Sequence, residues 1–64
     1  MFTKREKEVL KFLCEGYTNM QIANELGISF HTAKAHVASI LRKFQVENRL
    51  AAALKYRASE YYKK

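Results

Sequence analysis

Between Asn24 and His36 the chain reads NELGISFHTAKAH, and its chemistry-bearing side chains there are hydroxyls, ring nitrogens and an ammonium: Ser29, His31, Thr32, Lys34 and His36. Arg42 and Lys43 follow within the same stretch of helical pattern. Each can donate a hydrogen bond to an anion. Ala35 and Ala38 lie between the basic residues, leaving a low surface that something bulky could approach closely. The chemistry this permits is recognition of a polyanion. Turnover would need other parts: no nucleophile–base pair, carboxylate pair or glycine-rich phosphate loop is present. Asn24, Glu25 and Gln21 of MQIANEL read as helix surface. Metal chelation is not expected either. His31 and His36 are separated by roughly 140° around a helix, and no third ligand stands near them.

The bulk properties agree. Twelve Lys and Arg against six Asp and Glu give +6 on 64 residues, with a pI near 9.7. Such an imbalance on a short chain favours nucleic acid as partner, then acidic lipid, with a merely solvated basic surface as the plain alternative. A chain this short buries only about 60% of its unfolded surface, which leaves little room for a deep catalytic cavity. The apolar share of 48% suffices for one small core, so residues 1–64 read as a single domain with its core in 2–58 and a fraying tail, 59–64. Cys14 is the lone cysteine. No intrachain disulfide or thiolate cluster can form, and its helical setting suggests a small buried thiol. No signal peptide and no apolar run of membrane-spanning length appears, which fits a cytoplasmic location.

Four helical segments must position the donors. Thr3 and Glu6 form a capping box that opens the first, whose Val9, Leu10 and Leu13 recur at helical spacing up to Gly16. Phe12 is expected in the core or at its edge. Thr18 and Gln21 repeat the box for a short second segment carrying Ile22, Ala23 and Leu26, stopped by Gly27. Ser29 caps the third and longest segment. At about 100° per residue, Ala33, His36, Val37, Ile40 and Phe44 share one arc, and His31, Lys34, Ala35, Ala38 and Arg42 share the opposite one. Asn48 caps a fourth segment from Arg49 to about Tyr61, with Leu50, Ala53, Leu54 and then Arg57 or Ala58 along one side. The fold expected is all-α.

Two short helices joined by a glycine-containing turn make a helix-turn-helix. Ala23 must be small where the second helix crosses it, Gly27 can supply the positive φ of the turn, and Ile28 plugs the angle. Ser29 then restarts the chain so that His31, Thr32, Lys34 and Ala35 lie on exposed N-terminal turns, where a recognition helix meets base edges in the major groove. Lys34 can donate to guanine O6 and N7, or instead to a phosphate. The Thr32 hydroxyl can reach a phosphate or close a local bond at the helix start. Thr18 and Asn19 open the second helix where it should abut the backbone. Arg42 is placed on the same side or in solvent. His36 is either a packing residue or a phosphate donor.

The motifs TKREKEVL, GYTNMQIANELGIS and HTAKAHVASILRKFQV, followed by Arg49 and Ala52, resemble the LuxR-type (GerE-like) DNA-binding domain of bacterial transcription regulators. The resemblance covers residues 2 to about 56. It implies a four-helix domain whose third helix enters the major groove of double-stranded DNA and whose fourth often pairs with that of a second copy. By position it implies base reading at Lys34, Ala35 and Ala38, and phosphate contacts at Thr18, Asn19, Thr32, His36 and Lys43. Four residues depart from the usual pattern. Met20 stands where a basic residue is common, Ala33 where valine is usual, Ala38 where a polar residue is frequent, and Leu50 where Thr or Ser is frequent. Ala35 and Ala38 favour contact with thymine methyls over hydrogen bonding.

Small residues in the fourth segment let two helices approach closely, so a homodimer on DNA is expected through Ala51, Ala52, Leu54 and Lys55. The alternative is packing on the domain's own core with good helix propensity. Family members usually carry a receiver or ligand-binding domain ahead of this one. The chain is therefore expected to be the C-terminal effector domain of a response regulator or ligand-sensing regulator, or a small stand-alone regulator. RNA polymerase is a second partner to consider, membrane association is not expected, and no cofactor is called for.

Overall fold

The computed structural model describes residues 2–59, and these form four helices: α1 Lys4–Cys14, α2 Asn19–Leu26, α3 Phe30–Phe44 and α4 Arg49–Arg57. Every start follows from a side-chain cap that satisfies backbone N–H groups the helix itself cannot. The Thr3 hydroxyl accepts from Glu6 N, and the Glu6 carboxylate accepts from Thr3 N. Thr18 and Gln21 make the same reciprocal pair. Ser29 and Asn48 accept from Thr32 N and Ala51 N. Gly27, at φ 66°, ends α2 in the left-handed region, and Ile28 N–H then reaches back to Ala23 O. The same conformation ends α3 at Gln45, φ 58°, without a glycine. There Val46 N–H closes on Leu41 O while Val46 packs against the core.

α2 packs on α3, while α1 packs on both α3 and α4. Between them lie Val9, Leu10, Leu13, Ile22, Ala23, Ala33, Val37, Ile40 and Phe44, all buried as their spacing requires, with Leu26 and Ile28 packed at the edge. Ala23 and Ala33, 4% and 0% exposed, are both buried in the core of a fold in which α2 packs on α3, so a larger side chain on either would have to displace its neighbours. Phe12 is half-buried, its ring 4.9 Å from that of Tyr17. The half-buried Cys14 thiol meets Ala53 O, and burial first of all pushes its pKa up.

The fourth helix departs from its expected outline. It ends at Arg57, with Ala58 as cap, and the Ser59 hydroxyl takes the Tyr56 carbonyl, a local competitor to further helix. Residues 60–64, including Tyr61 and most of the expected frayed tail, lie outside the described residues. Its buried face is Ala52 and Tyr56, whereas Leu50 and Leu54 are 69% and 60% exposed. Leucines set the expected face of α4. The core instead takes Ala52 and Tyr56, on a helix that packs on both α1 and α3.

Candidate nucleic-acid interface

The turn between α2 and α3 delivers the first turns of α3 to the surface. Ser29 closes the N-terminus twice over: its Oγ accepts from Thr32 N and donates to Thr32 Oγ1 at 2.9 Å. The Thr32 hydroxyl proton is left to donate elsewhere. The Thr18 hydroxyl, which accepts from Gln21 N, is in the same condition. Both threonines are exposed, so capping leaves each hydroxyl able to donate to an anion. The local bond expected as an alternative for Thr32 is therefore present and does not consume its donor.

His31, Lys34, Ala35 and Arg42 are exposed on the side of α3 opposite its core residues, with Ala38 half-buried beside them. Lys34 and Arg42 have no hydrogen-bond or ion-pair partner among the described residues. The His31 ring lies edge-on to Phe30, 6.1 Å between centroids, and Phe30 is itself 41% exposed. His36 is half-buried on the flank of α3. This surface offers two unneutralised cations, a ring donor and hydroxyls around two alanines, a composition suited to a phosphate-bearing ligand with base edges between the charges.

Lys43 is differently placed. Its ammonium donates to Glu6 Oε1 at 2.7 Å and stands 5.7 Å from the Phe2 ring centroid. Ser39 donates to the other carboxylate oxygen of Glu6 at 2.8 Å. Burial alone would raise the Glu6 pKa, but hydrogen bonds from Lys43, Thr3 N–H and Ser39, with the charge of Lys43, outweigh it and bring the carboxyl from 4.5 to about 2. The capping glutamate of α1 is thus also the anchor for the C-terminal end of α3. The Phe2–Phe44 edge contact, centroids 4.9 Å apart, closes the same corner. Sequence reading found Glu6 as a cap and missed this second role, because the partner helix returns only after more than thirty residues. The one available signal was an acid in a basic chain at a position the first helix turns inward.

Two more polar links went unread. Arg49, at the start of α4, donates through Nη1 to Asn19 Oδ1 at 2.9 Å and through Nη2 to Tyr17 O at 2.6 Å. Lys55 donates to Phe44 O at the end of α3, 2.8 Å away, where a cation meets the negative end of that helix. Lys55 is thereby turned onto its own domain. Ala52 needs a correction as an expected dimer contact, since it is 0% exposed and belongs to the domain's own core. Ala51 is half-buried and Leu54 exposed.

An α2–turn–α3 unit with a basic, exposed second helix, held by α1 and α4, defines a helix-turn-helix module of the DNA-binding kind. The chain belongs to the luxR family of bacterial regulatory proteins, whose family model matches residues 1–56. It is similar to the proteins named "Response regulator protein VraR" of Staphylococcus aureus, Staphylococcus saprophyticus and Staphylococcus epidermidis, each 41% identical over 54 residues, or 84% of this chain and 26% of theirs. The chain thus spans about a quarter of the length of those relatives. Its fold and family place it among the DNA-binding transcription regulators of bacteria, which are not a class of enzyme. Among the described residues no helix is long and apolar enough to cross a membrane.

Proposed function

We propose that the chain is one DNA-binding domain that lays α3 in the major groove of double-stranded DNA. Lys34, Ala35 and Ala38 face the bases, with His31 beside them. Thr18, Asn19, Thr32, His36 and Arg42 lie along the phosphates. The observation that carries this reading is the pairing of exposed Lys34 and Arg42, unpartnered among the described residues, with a low alanine surface on the outward side of α3. Lys43 contributes its charge to the phosphate field while its ammonium remains bound to Glu6.

Two copies pair through α4 on an operator of two half-sites. Leu50 and Leu54, four residues apart on one exposed side, give that contact its apolar centre, with Ala51 at its margin. Lys55 lies beside it. So small a patch is a weak interface alone, which places pairing on the operator or under the drive of another domain. The similar proteins are named response regulators, and the family model supports DNA binding; together they favour a place as the DNA-binding effector domain of a response regulator. Such a domain would act in the cytoplasm, where contact with RNA polymerase would follow from operator position.

The test is fluorescence anisotropy of a labelled random-sequence duplex across a salt series. A log–log slope of about −3 to −5, for ~4–5 phosphates per monomer, is the expected result. Absence of binding at low salt would refute the reading and favour a protein-interaction module. A partner of that kind would show weak salt dependence.

A further inference from the structure

Asn19 occupies the first turn of α2, and its side-chain amide is held by Arg49 of α4. A guanidinium has donors and no acceptor, so only Oδ1 of the amide can face Arg49. The Nη1–Oδ1 bond of 2.9 Å therefore fixes which way round the amide lies. The second arm of the fork, Nη2 to Tyr17 O at 2.6 Å, fixes the guanidinium itself against the backbone just before the Thr18 cap. The Nδ2 group has no protein acceptor among the described residues, and no buried side-chain nitrogen or oxygen is left unpaired, so Nδ2 opens to solvent.

We propose that Arg49 is a positioning residue for DNA binding: it locks the Asn19 amide with its two N–H donors outward, so that α2 meets a phosphate with a preset donor. This deepens the DNA-binding reading above and rests on it. A free amide would spend half its orientations presenting an acceptor oxygen to a phosphate, which repels it. The fork removes that half before DNA arrives. Its charge also lies one side chain behind the phosphate, where it adds attraction without a direct contact. Because Arg49 is the first residue of α4 and precedes exposed Leu50, the helix that carries the apolar outer face is bonded directly to the helix that grips the backbone.

The test compares wild type, Asn19→Asp, Asn19→Ala, Arg49→Met and the double variant Asn19→Ala/Arg49→Met, by duplex anisotropy and melting temperature. Asn19→Asp keeps an acceptor for Arg49 but replaces the outward donor with a carboxylate oxygen. It should melt near wild type and lose about tenfold or more in DNA affinity. Arg49→Met should weaken binding severalfold in wild type and far less in the Asn19→Ala background. In 15N spectra, the Asn19 Nδ2 resonances should shift on DNA addition in wild type, and shift far less in Arg49→Met. Wild-type affinity in Asn19→Asp, or the same loss from Arg49→Met in both backgrounds, would overturn the proposal while leaving DNA binding intact. Should Arg49→Met fail to fold, Asn19→Asp and the wild-type amide spectrum still decide. Failure of wild type to bind any duplex would instead remove the DNA reading on which this one stands.

Discussion

At the N-terminal end of α3, Lys34 is exposed without a protein partner among the described residues, whereas at the C-terminal end Lys43 lies 2.7 Å from a Glu6 carboxylate that is only 6% exposed. Both are lysines on one helix in a strongly basic chain. One is available to a ligand, and the other fastens the helix to α1. The same division holds for other cations: Arg42 has no side-chain partner among the described residues, while Lys55 caps α3 and Arg49 bonds the entry to α2. Net charge alone therefore overstates the surface offered to DNA. A recognition helix is useful only if its approach angle is fixed, and here some of the cations do the fixing.

The sharpest way to break this contrast is Lys43→Ala. It strands a buried carboxylate with only the Thr3 N–H and Ser39 hydroxyl as donors. Removing one partner of a fully buried pair costs about 3–5 kcal/mol. The Lys43 side chain is 34% accessible, so about 3 kcal/mol is the expected loss after allowing for solvent screening. In a domain of this size that lowers the melting temperature by roughly 12–24 °C. Affinity measured where the variant is still folded should fall much less than in Lys34→Ala. If the order is reversed, Lys43 belongs to the DNA surface.

Acid tests the same corner. The Glu6 carboxyl is depressed in the folded state, to about 2 from 4.5. A depressed carboxyl adds stability that is full above the unfolded value and is lost as pH falls through the folded one. Stability followed by urea denaturation should hold down to about pH 5 and then decline by about 2–3 kcal/mol toward pH 2. Glu6→Gln should begin less stable at neutral pH and show a flatter decline. An acid limb unchanged by Glu6→Gln would assign it to other carboxylates.

At the open end, Lys34→Ala should leave the melting temperature nearly unchanged and weaken a preferred site by roughly 1–3 kcal/mol, relaxing sequence preference there. An equal loss on every duplex would make Lys34 a phosphate contact. Anisotropy against preferred and random duplexes separates the two.

The sequence made some of this legible and hid the rest for a physical reason. Caps, turns and the core arc of α3 are local: Thr3, Thr18, Ser29 and Asn48 act within one helical turn, and the αL turn needs only Gly27. The exposed residues of the α3 surface were legible because a 15-residue helix repeats its pattern enough to define a face. Nine residues of α4 define one poorly. There hydrophobicity pointed to Leu50, Ala53 and Leu54, while packing in the core selected Ala52 and Tyr56. The Glu6–Lys43 and Arg49–Asn19 links join different helices, and no periodicity within one helix reports them. Gln45 at φ 58° was hidden too, since a left-handed cap without glycine is set by the closure of Val46 onto Leu41 O.

The displaced face of α4 yields the smallest expected effect on the isolated domain and a clear one on assembly. Leu54 is 60% exposed and lies opposite Ala52 and Tyr56, so nothing in the domain's core depends on it. Glutamate is nearly as good a helix former as leucine, and Leu54→Glu should change stability by less than about 0.5 kcal/mol. In a two-fold contact each residue near the axis meets its own counterpart, so the substitution places two carboxylates face to face in an apolar seam. Binding to a single half-site should persist, while cooperative binding to a paired site should be lost. Ala52→Glu is the informative contrast, because a charge at that buried position should unfold the domain rather than separate two folded copies. If Leu54→Glu instead weakens half-site and paired-site binding equally, the outer side of α4 acts through its own domain, and pairing must use another surface.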